Sequence, residues 1–314
     1  MKKNILALSV LAISTATVLA GCGSGASKEA SAGGTTSKKT DLAMTVGSKD
    51  NTENHLIGEM YAEIFEDMGM KVTRKLSLGG TAPTFEALKK GDLDIYPEYT
   101  GTGLTVMLKQ PVEKDQKKVE QTLSEGFKQW NLEWLESAPE NATYGFATKK
   151  ETADKYKLES ISDLAKHSSE LTLSYPQEFD VRDDSLPGLQ KAYKDKGGFK
   201  FKKQFQIDYS LRYNPLKEGQ SDVTVSVGTD GQISGMGLKL LKDDISFFPI
   251  YHVAPLVRKE KLDKEPAIKE RLNKLSKLLT DEAVQKMNWQ VDGPDKKEIE
   301  AVAKAFLKEN KLIK

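Results

Sequence analysis

The chain has 314 residues, long enough for two lobes with cores of their own. Its 38% hydrophobic and 30% charged residues suit a folded, water-soluble protein, and 47 Lys+Arg against 46 Asp+Glu leave a net charge of +1. So even a balance supplies no basic field of the kind that gathers nucleic acid, and it points to a small or neutral partner.

At the N-terminus, Lys2 and Lys3 precede an apolar run from Ile5 to Ala20, the charged and hydrophobic regions of an export signal. The run is too short and too rich in Ser and Thr for a permanent span. It ends in "LAGC", Leu19 to Cys22, which resembles the lipobox of bacterial lipoproteins. That resemblance implies removal of residues 1–21, a signal peptide, and acylation of Cys22, which holds the protein on the outer face of the cell membrane. Cys22 is the only cysteine, so no disulfide partner competes for it. From Gly23 to Thr40 the chain is rich in Gly, Ser and Lys and cannot bury surface, so residues 22–43 are expected to form a flexible tether.

From Met44 onward short strands alternate with helices. "AMTVGSK" reads as a strand running into a loop, and Leu56, Ile57, Met60, Ile64, Phe65 and Met68 recur at helical spacing until Gly69. "KVTRKLSL" alternates with period two, a strand through Leu78. "GGTAP" opens a second helix, with Pro83 in its first turn and Phe85 and Leu88 facing inward until Gly91. "LDIYPEY" is a third strand. This βαβαβ order predicts a parallel sheet whose strand-end loops "GSKDNTE", "LGGTA" and "EYTGT" share one rim, where ligands of open α/β sheets bind.

Val119, Leu123, Phe127 and Trp130 form a core stripe on a further helix, and "ATYGFATKK" reads as a buried strand leaving the first lobe. "SISDL" caps a helix, "LTLSY", "KFKKQFQI" and "DVTVSV" are strands, "LPGLQKAY" is a helix, and Pro215 interrupts another. The chain returns through "FFPIYHVAPLVR" to helices carrying Ile268, Leu272, Leu275 and Leu278, then Val302, Ala305 and Phe306. The expected division is residues 44–145 and 249–314 in one lobe and 146–248 in the other, with a hinge and a cleft between them.

"VGSKDNTENHLIGEMY", "LGGTAPTFEALKKGDLDIYPEYTGT", "RDDSLPGL", "TDGQI" and "LKDDISFFPIY" together resemble the extracytoplasmic substrate-binding proteins of osmoprotectant ABC transporters, which take up glycine betaine, choline, carnitine and related quaternary amines. The similarity covers essentially the whole mature chain. It implies a type II-like two-lobe periplasmic-binding-protein fold, each lobe an α/β mixed sheet flanked by helices. It further implies a monomer without cofactor or metal that delivers its ligand to a permease energised by an ATPase subunit. A quaternary ammonium has no N–H to donate, so a site recognises it through aromatic faces. The family's cage tyrosines match Tyr99 and Tyr144; outside that context these would be an ordinary strand-end residue and a core residue. Val227 stands where betaine- and choline-binding members carry a tyrosine, and Phe179 stands at another cage position. Lys49 is expected near a ligand carboxylate, which the backbone of Gly80 and Thr81 at a helix start also suits, and Arg182 is expected to pair with that carboxylate or with the opposite lobe on closure. Asp230 orients a cleft loop or balances the cation.

The departures leave room for a larger betaine such as ergothioneine. An enzyme is a poorer reading, because His55, His167 and His252 lack metal-ligand spacing and neither a nucleophile elbow nor a phosphate loop is present. A surface sensor or adhesion lipoprotein on the same fold is the remaining class.

Overall fold

The computed structural model describes residues 42–314. The signal peptide, Cys22 and nearly all of the tether lie outside the described residues.

Two five-stranded mixed sheets organise the chain. The first has the order β2 (Lys71–Lys75), β1 (Ala43–Gly47), β3 (Ile95–Tyr99), β10 (Val253–Arg258) and β4 (Leu132–Trp134). Its first three strands are parallel, joined by α1 (Thr52–Asp67) and α2 (Thr81–Lys90), while β10 runs antiparallel to both β3 and β4. The second has the order β7 (Lys203–Gln206), β6 (Thr172–Tyr175), β8 (Val223–Val227), β5 (Tyr144–Thr148) and β9 (Lys239–Leu240). Here β6 is parallel to β7 and β8, and β5 is antiparallel to β8 and β9.

Local chemistry sets the starts of the helices. Asn51 caps α1 by accepting the Asn54 N–H at 2.8 Å. Ser160 and Asp163 form a reciprocal capping box before the helix Ile161–His167. α1 is buried on most of its faces because it lies between its own sheet and the C-terminal helix Ile299–Glu309. Burial of side chains such as Ile57, Met60 and Phe65 contributes about 1.5–3 kcal/mol each relative to exposure.

Four local expectations shift. β2 stops at Lys75 rather than Leu78, because Ser77 takes a left-handed φ of 58° and turns the chain toward the rim. The stripe Val119 to Trp130 is divided: the helix ends at Gly126 and a tighter turn, Phe127–Trp130, follows. That turn lets Phe127 meet Phe85, Trp130 and Trp134 at 5.1–5.8 Å between ring centres. Leu279 rather than Leu278 is the fully buried leucine after Leu275, and the last helix buries Val302, Ala303 and Leu307 while Ala305 faces solvent. "ATYGFATKK" contributes β5 to the second sheet, where Tyr144 is paired with Val227.

The chain crosses between the sheets twice, after β4 and before β10, and the two crossings are bonded to each other. Ala138 N–H donates to Val253 O at 2.8 Å and Ala142 N–H to Tyr251 O at 3.1 Å. A third junction is made by Trp289, in the helix Asp281–Asp292, which packs on the segment Gly231–Gly235. A Cβ on Gly231 would fall 2.6 Å from the Trp289 backbone nitrogen, and one on Gly235 would fall 2.3 Å from its ring. Only glycine admits that approach.

Candidate functional site

The parallel order of β1, β2 and β3 brings their C-terminal ends to one rim, carrying Lys49, Gly80 and Tyr99. Opposite stand Tyr144 at the start of β5, Arg182 after the turn Gln177–Asp180, and Asp230 after β8. These groups line one cavity of about 460 Å³ between the sheets.

Four tyrosines line it: Tyr99, Tyr144, Tyr209 and Tyr251. Tyr99 is held by its hydroxyl, which donates to Glu53 Oε1 at 2.7 Å. Tyr144 is half-buried and meets Phe179 and Tyr251 edge-on, each at 5.4 Å between ring centres. Burial pushes the Tyr144 phenol up to about 12 and raises Tyr99, Tyr209 and Tyr251 well above 10. All four are therefore neutral at physiological pH, and what they offer a cation is the π face rather than a phenolate.

The lining is acidic. Asp50, Glu53, Glu178, Asp208, Asp230 and Asp292 face it against Lys49, Arg182 and Arg212. Each of the three cations already has a carboxylate partner. Lys49 Nζ lies 2.6 Å from Glu98 Oε1 and 3.1 Å from Thr81 Oγ1, and 5.2 Å from the centre of the Tyr99 ring. Glu98 is fully buried and also accepts from Tyr96 OH at 2.9 Å and from the Tyr99 N–H at 2.7 Å. Arg182 grips Asp184 in a two-pronged pair at 2.8 and 2.7 Å. Burial alone would raise the Asp184 carboxyl, but Arg182 together with the Tyr251 and Thr105 hydroxyls outweighs it and the net shift is downward. Arg212 pairs with Asp230, which also accepts from Tyr213 OH and from the Val227 N–H at 2.9 Å. Among the described residues Glu53 has only neutral donors, Tyr99, Thr229 and Asn288, and burial raises its carboxyl above the usual 4.5.

The halves touch directly across the cleft. Arg182 Nη2 reaches Thr102 Oγ1 at 3.3 Å, and Asp184 accepts from Thr105 at 2.8 Å and Tyr251 at 2.7 Å. Thr229 donates to Glu53, and Gln232 donates to Asp292 at 3.0 Å.

Of the residues singled out in the sequence, Lys49, Gly80, Tyr99, Tyr144, Arg182 and Asp230 share the cavity wall. Phe179 stands behind Tyr144, fully buried, and Thr81 is buried with its N–H donated to Glu178 at 2.6 Å. Sequence reasoning passed over Glu53, Glu178, Tyr209, Arg212 and Tyr251. Glu53 and Tyr251 lay inside the stretches "GSKDNTE" and "FFPIY", whereas nothing local marked Tyr209 or Arg212. Tyr96, on the same strand as Tyr99, is fully buried and takes no part in the cavity wall. Among the described residues no cluster of metal-binding side chains occurs and no helix is long and apolar enough to cross a membrane.

Residues 43–309 match the family described as the substrate binding domain of ABC-type glycine betaine transport system. The chain belongs to this family. Across 319 residues it is 35% identical to the carnitine transport binding protein OpuCC of Listeria monocytogenes, covering 99% of this chain and 98% of that protein. It is 36% identical over 266 residues to the ergothioneine transport permease/ergothioneine binding protein EgtU of Helicobacter pylori, covering 84% of this chain and 47% of that protein. A crystal structure of a glycine betaine/carnitine/choline ABC transporter superposes with a TM-score of 0.70 at 33% identity, covering 87% of this chain and 99% of the other. The fold is that of the periplasmic binding proteins, as superposition on the glycine betaine complex of lactococcal OpuAC also shows, with a TM-score of 0.62 at 14% identity. As a member of the family the chain is a substrate-binding component of an ABC-type import system, working on the extracytoplasmic side.

Proposed function

We propose that the protein captures a quaternary-amine osmoprotectant of the glycine betaine, choline or carnitine class in the cleft and hands it to an ABC permease driven by an ATPase subunit. It works as a monomeric, non-enzymatic carrier anchored through acylated Cys22. The observation that carries this reading is the joining of four neutral tyrosines and an acid-rich lining in a single cavity shared by the two halves. A methylated ammonium is weakly hydrated, and each aromatic face contributes about 0.5–2 kcal/mol to holding it once water is excluded. The carboxylates supply the long-range attraction.

The lobes, drawn at residues 44–145 with 249–314 and residues 146–248 but with all of β5 from Tyr144 counted in the second, act as halves that close on the ligand. Binding drives closure only if ligand contacts are stronger in the closed state, and a cage drawn from both sheets meets that condition. Tyr99, Lys49, Gly80 and Thr81 come from one side, and Tyr144, Phe179, Arg182 and Asp230 from the other. Phe179 acts by backing Tyr144, and Asp230 by neutralising Arg212.

The test is thermal melting of the purified protein with glycine betaine, choline, carnitine and ergothioneine, since a ligand that binds the native state raises its stability by RT ln(1 + [L]/Kd). Upward shifts with one or more of the first three support the reading. A shift with ergothioneine alone supports the second reading, favoured by the Helicobacter relative, of a carrier for that larger betaine. No shift with any of them would sink both.

A further inference from the structure

α2 begins just after Gly80, which has no side chain with which to cap the helix. The cap comes from the other side of the cleft. Glu178, in the turn Gln177–Asp180, places Oε1 2.6 Å from the Thr81 N–H, and Oε2 lies 3.5 Å from both Thr81 Oγ1 and Arg182 Nη1. A Cβ on Gly80 would fall 2.0 Å from Glu178 Oε1, so glycine leaves the space the carboxylate occupies. The start of a ten-residue helix attracts an anion through its free N–H groups and dipole, and here the chain supplies that anion itself. The same holds for the other groups able to receive a carboxylate: Lys49, Arg182 and Arg212 are each paired internally.

We propose that Glu178 is a built-in carboxylate that fills the anion-accepting position of the cleft, making the protein selective for quaternary-ammonium cations without a carboxylate, of which choline is the simplest, over zwitterionic betaines. The proposal rests on the quaternary-amine reading of the cavity. A betaine whose carboxylate approaches α2 meets Glu178 already there, with Asp50 close enough to feel the charge of both Glu178 and Asp208. It must expel Glu178 or accept a like charge beside its own. A ligand ending in a hydroxyl donates to Glu178 and leaves the cap in place. This is discrimination by repulsion, and the repelling group is a single side chain.

Calorimetric titration of wild type, Glu178→Gln and Glu178→Ala with choline and with glycine betaine at neutral pH tests it. Wild type is expected to bind choline at least about tenfold more tightly than glycine betaine, and both variants to narrow that ratio by about fivefold or more, mainly through tighter betaine binding. In wild type alone, the methyl ester of glycine betaine, which keeps the ammonium and masks the carboxylate, is expected to bind more tightly than glycine betaine. This arm holds even if a variant misfolds. Betaine binding as tight as choline, an ester no better than the acid, or a ratio unmoved in folded variants overturns the proposal while leaving the quaternary-amine reading intact. Absence of binding by all three ligands in wild type overturns the proposal, and the quaternary-amine reading falls with it only if carnitine also fails to bind.

Discussion

Truncating Tyr144 separates the contribution of its ring from that of its hydroxyl. The ring stands on the cavity wall, supported by Phe179 and Tyr251 at 5.4 Å and Phe248 at 6.0 Å, and no described residue forms a hydrogen bond with its hydroxyl. Tyr144→Ala removes one cation–π face, worth about 0.5–2 kcal/mol, so Kd for a quaternary ammonium should rise about 2- to 30-fold. The same truncation removes the support that the ring exchanges with these three neighbours, about 0.5–1.5 kcal/mol of folding stability for each aromatic pair, so the variant should also melt lower. Tyr144→Phe keeps the face and the packing and should bind within a factor of about two of wild type. Titration calorimetry on each protein, below its own melting transition, keeps the two effects apart. If Tyr144→Ala binds as tightly as wild type, or Tyr144→Phe loses as much as Tyr144→Ala, the π-face account of this wall is wrong.

Asp230→Asn leaves Arg212 buried without its counter-charge, which by analogy with other buried pairs costs about 3–5 kcal/mol in urea denaturation. The same change should weaken binding of the cation, since the freed guanidinium repels it; unchanged affinity would show that Arg212 is remote from the bound ammonium. Glu140 is fully buried with Oε2 unpartnered, and burial, followed by the charge of Glu53, lifts its carboxyl well above the ordinary 4.5. The native state then holds a proton that the unfolded chain releases, so stability falls as pH rises from about 4.5 through the folded value. Glu140→Gln should flatten that fall in denaturation curves collected across the range, and an unaltered slope would assign it to other groups. Gly235→Ala drives a methyl into the Trp289 ring 2.3 Å away and should destabilise the protein by about 1–3 kcal/mol in thermal melting. A neutral outcome there would mean that the indole has room to retreat.

The strand and helix order was readable because hydrophobic periodicity and punctuation agree in this chain. Gly91 takes the left-handed conformation that ends α2, and Ser160 with Asp163 starts the helix that the "SISDL" pattern announces. The short edge strands β4 and β9 carry too few residues for a period to show. Tyr99 was legible because its neighbours form a recognisable stretch at a strand end. Tyr209 and Tyr251 sit outside the strands, and only the tertiary fold brings them to the same cavity. Charge pairing was hidden for a similar reason. Lys49 and Arg182 look in the sequence like free cations awaiting a carboxylate, yet Glu98 is 49 residues from Lys49, and the two-residue Arg182–Asp184 fork depends on a turn that composition does not specify.

Trp289 sits where a first-lobe helix meets Gly231 and Gly235 across the junction, with three glycines, Gly293 included, leaving it space. An indole lodged at a pivot is an optical gauge supplied by the chain itself. Any rotation of one half against the other changes the polarity and quenching around that ring. Trp130 and Trp134, by contrast, lie together in an aromatic cluster around Phe127. If the cleft opens and shuts as proposed, emission from the unlabelled protein should follow it in real time.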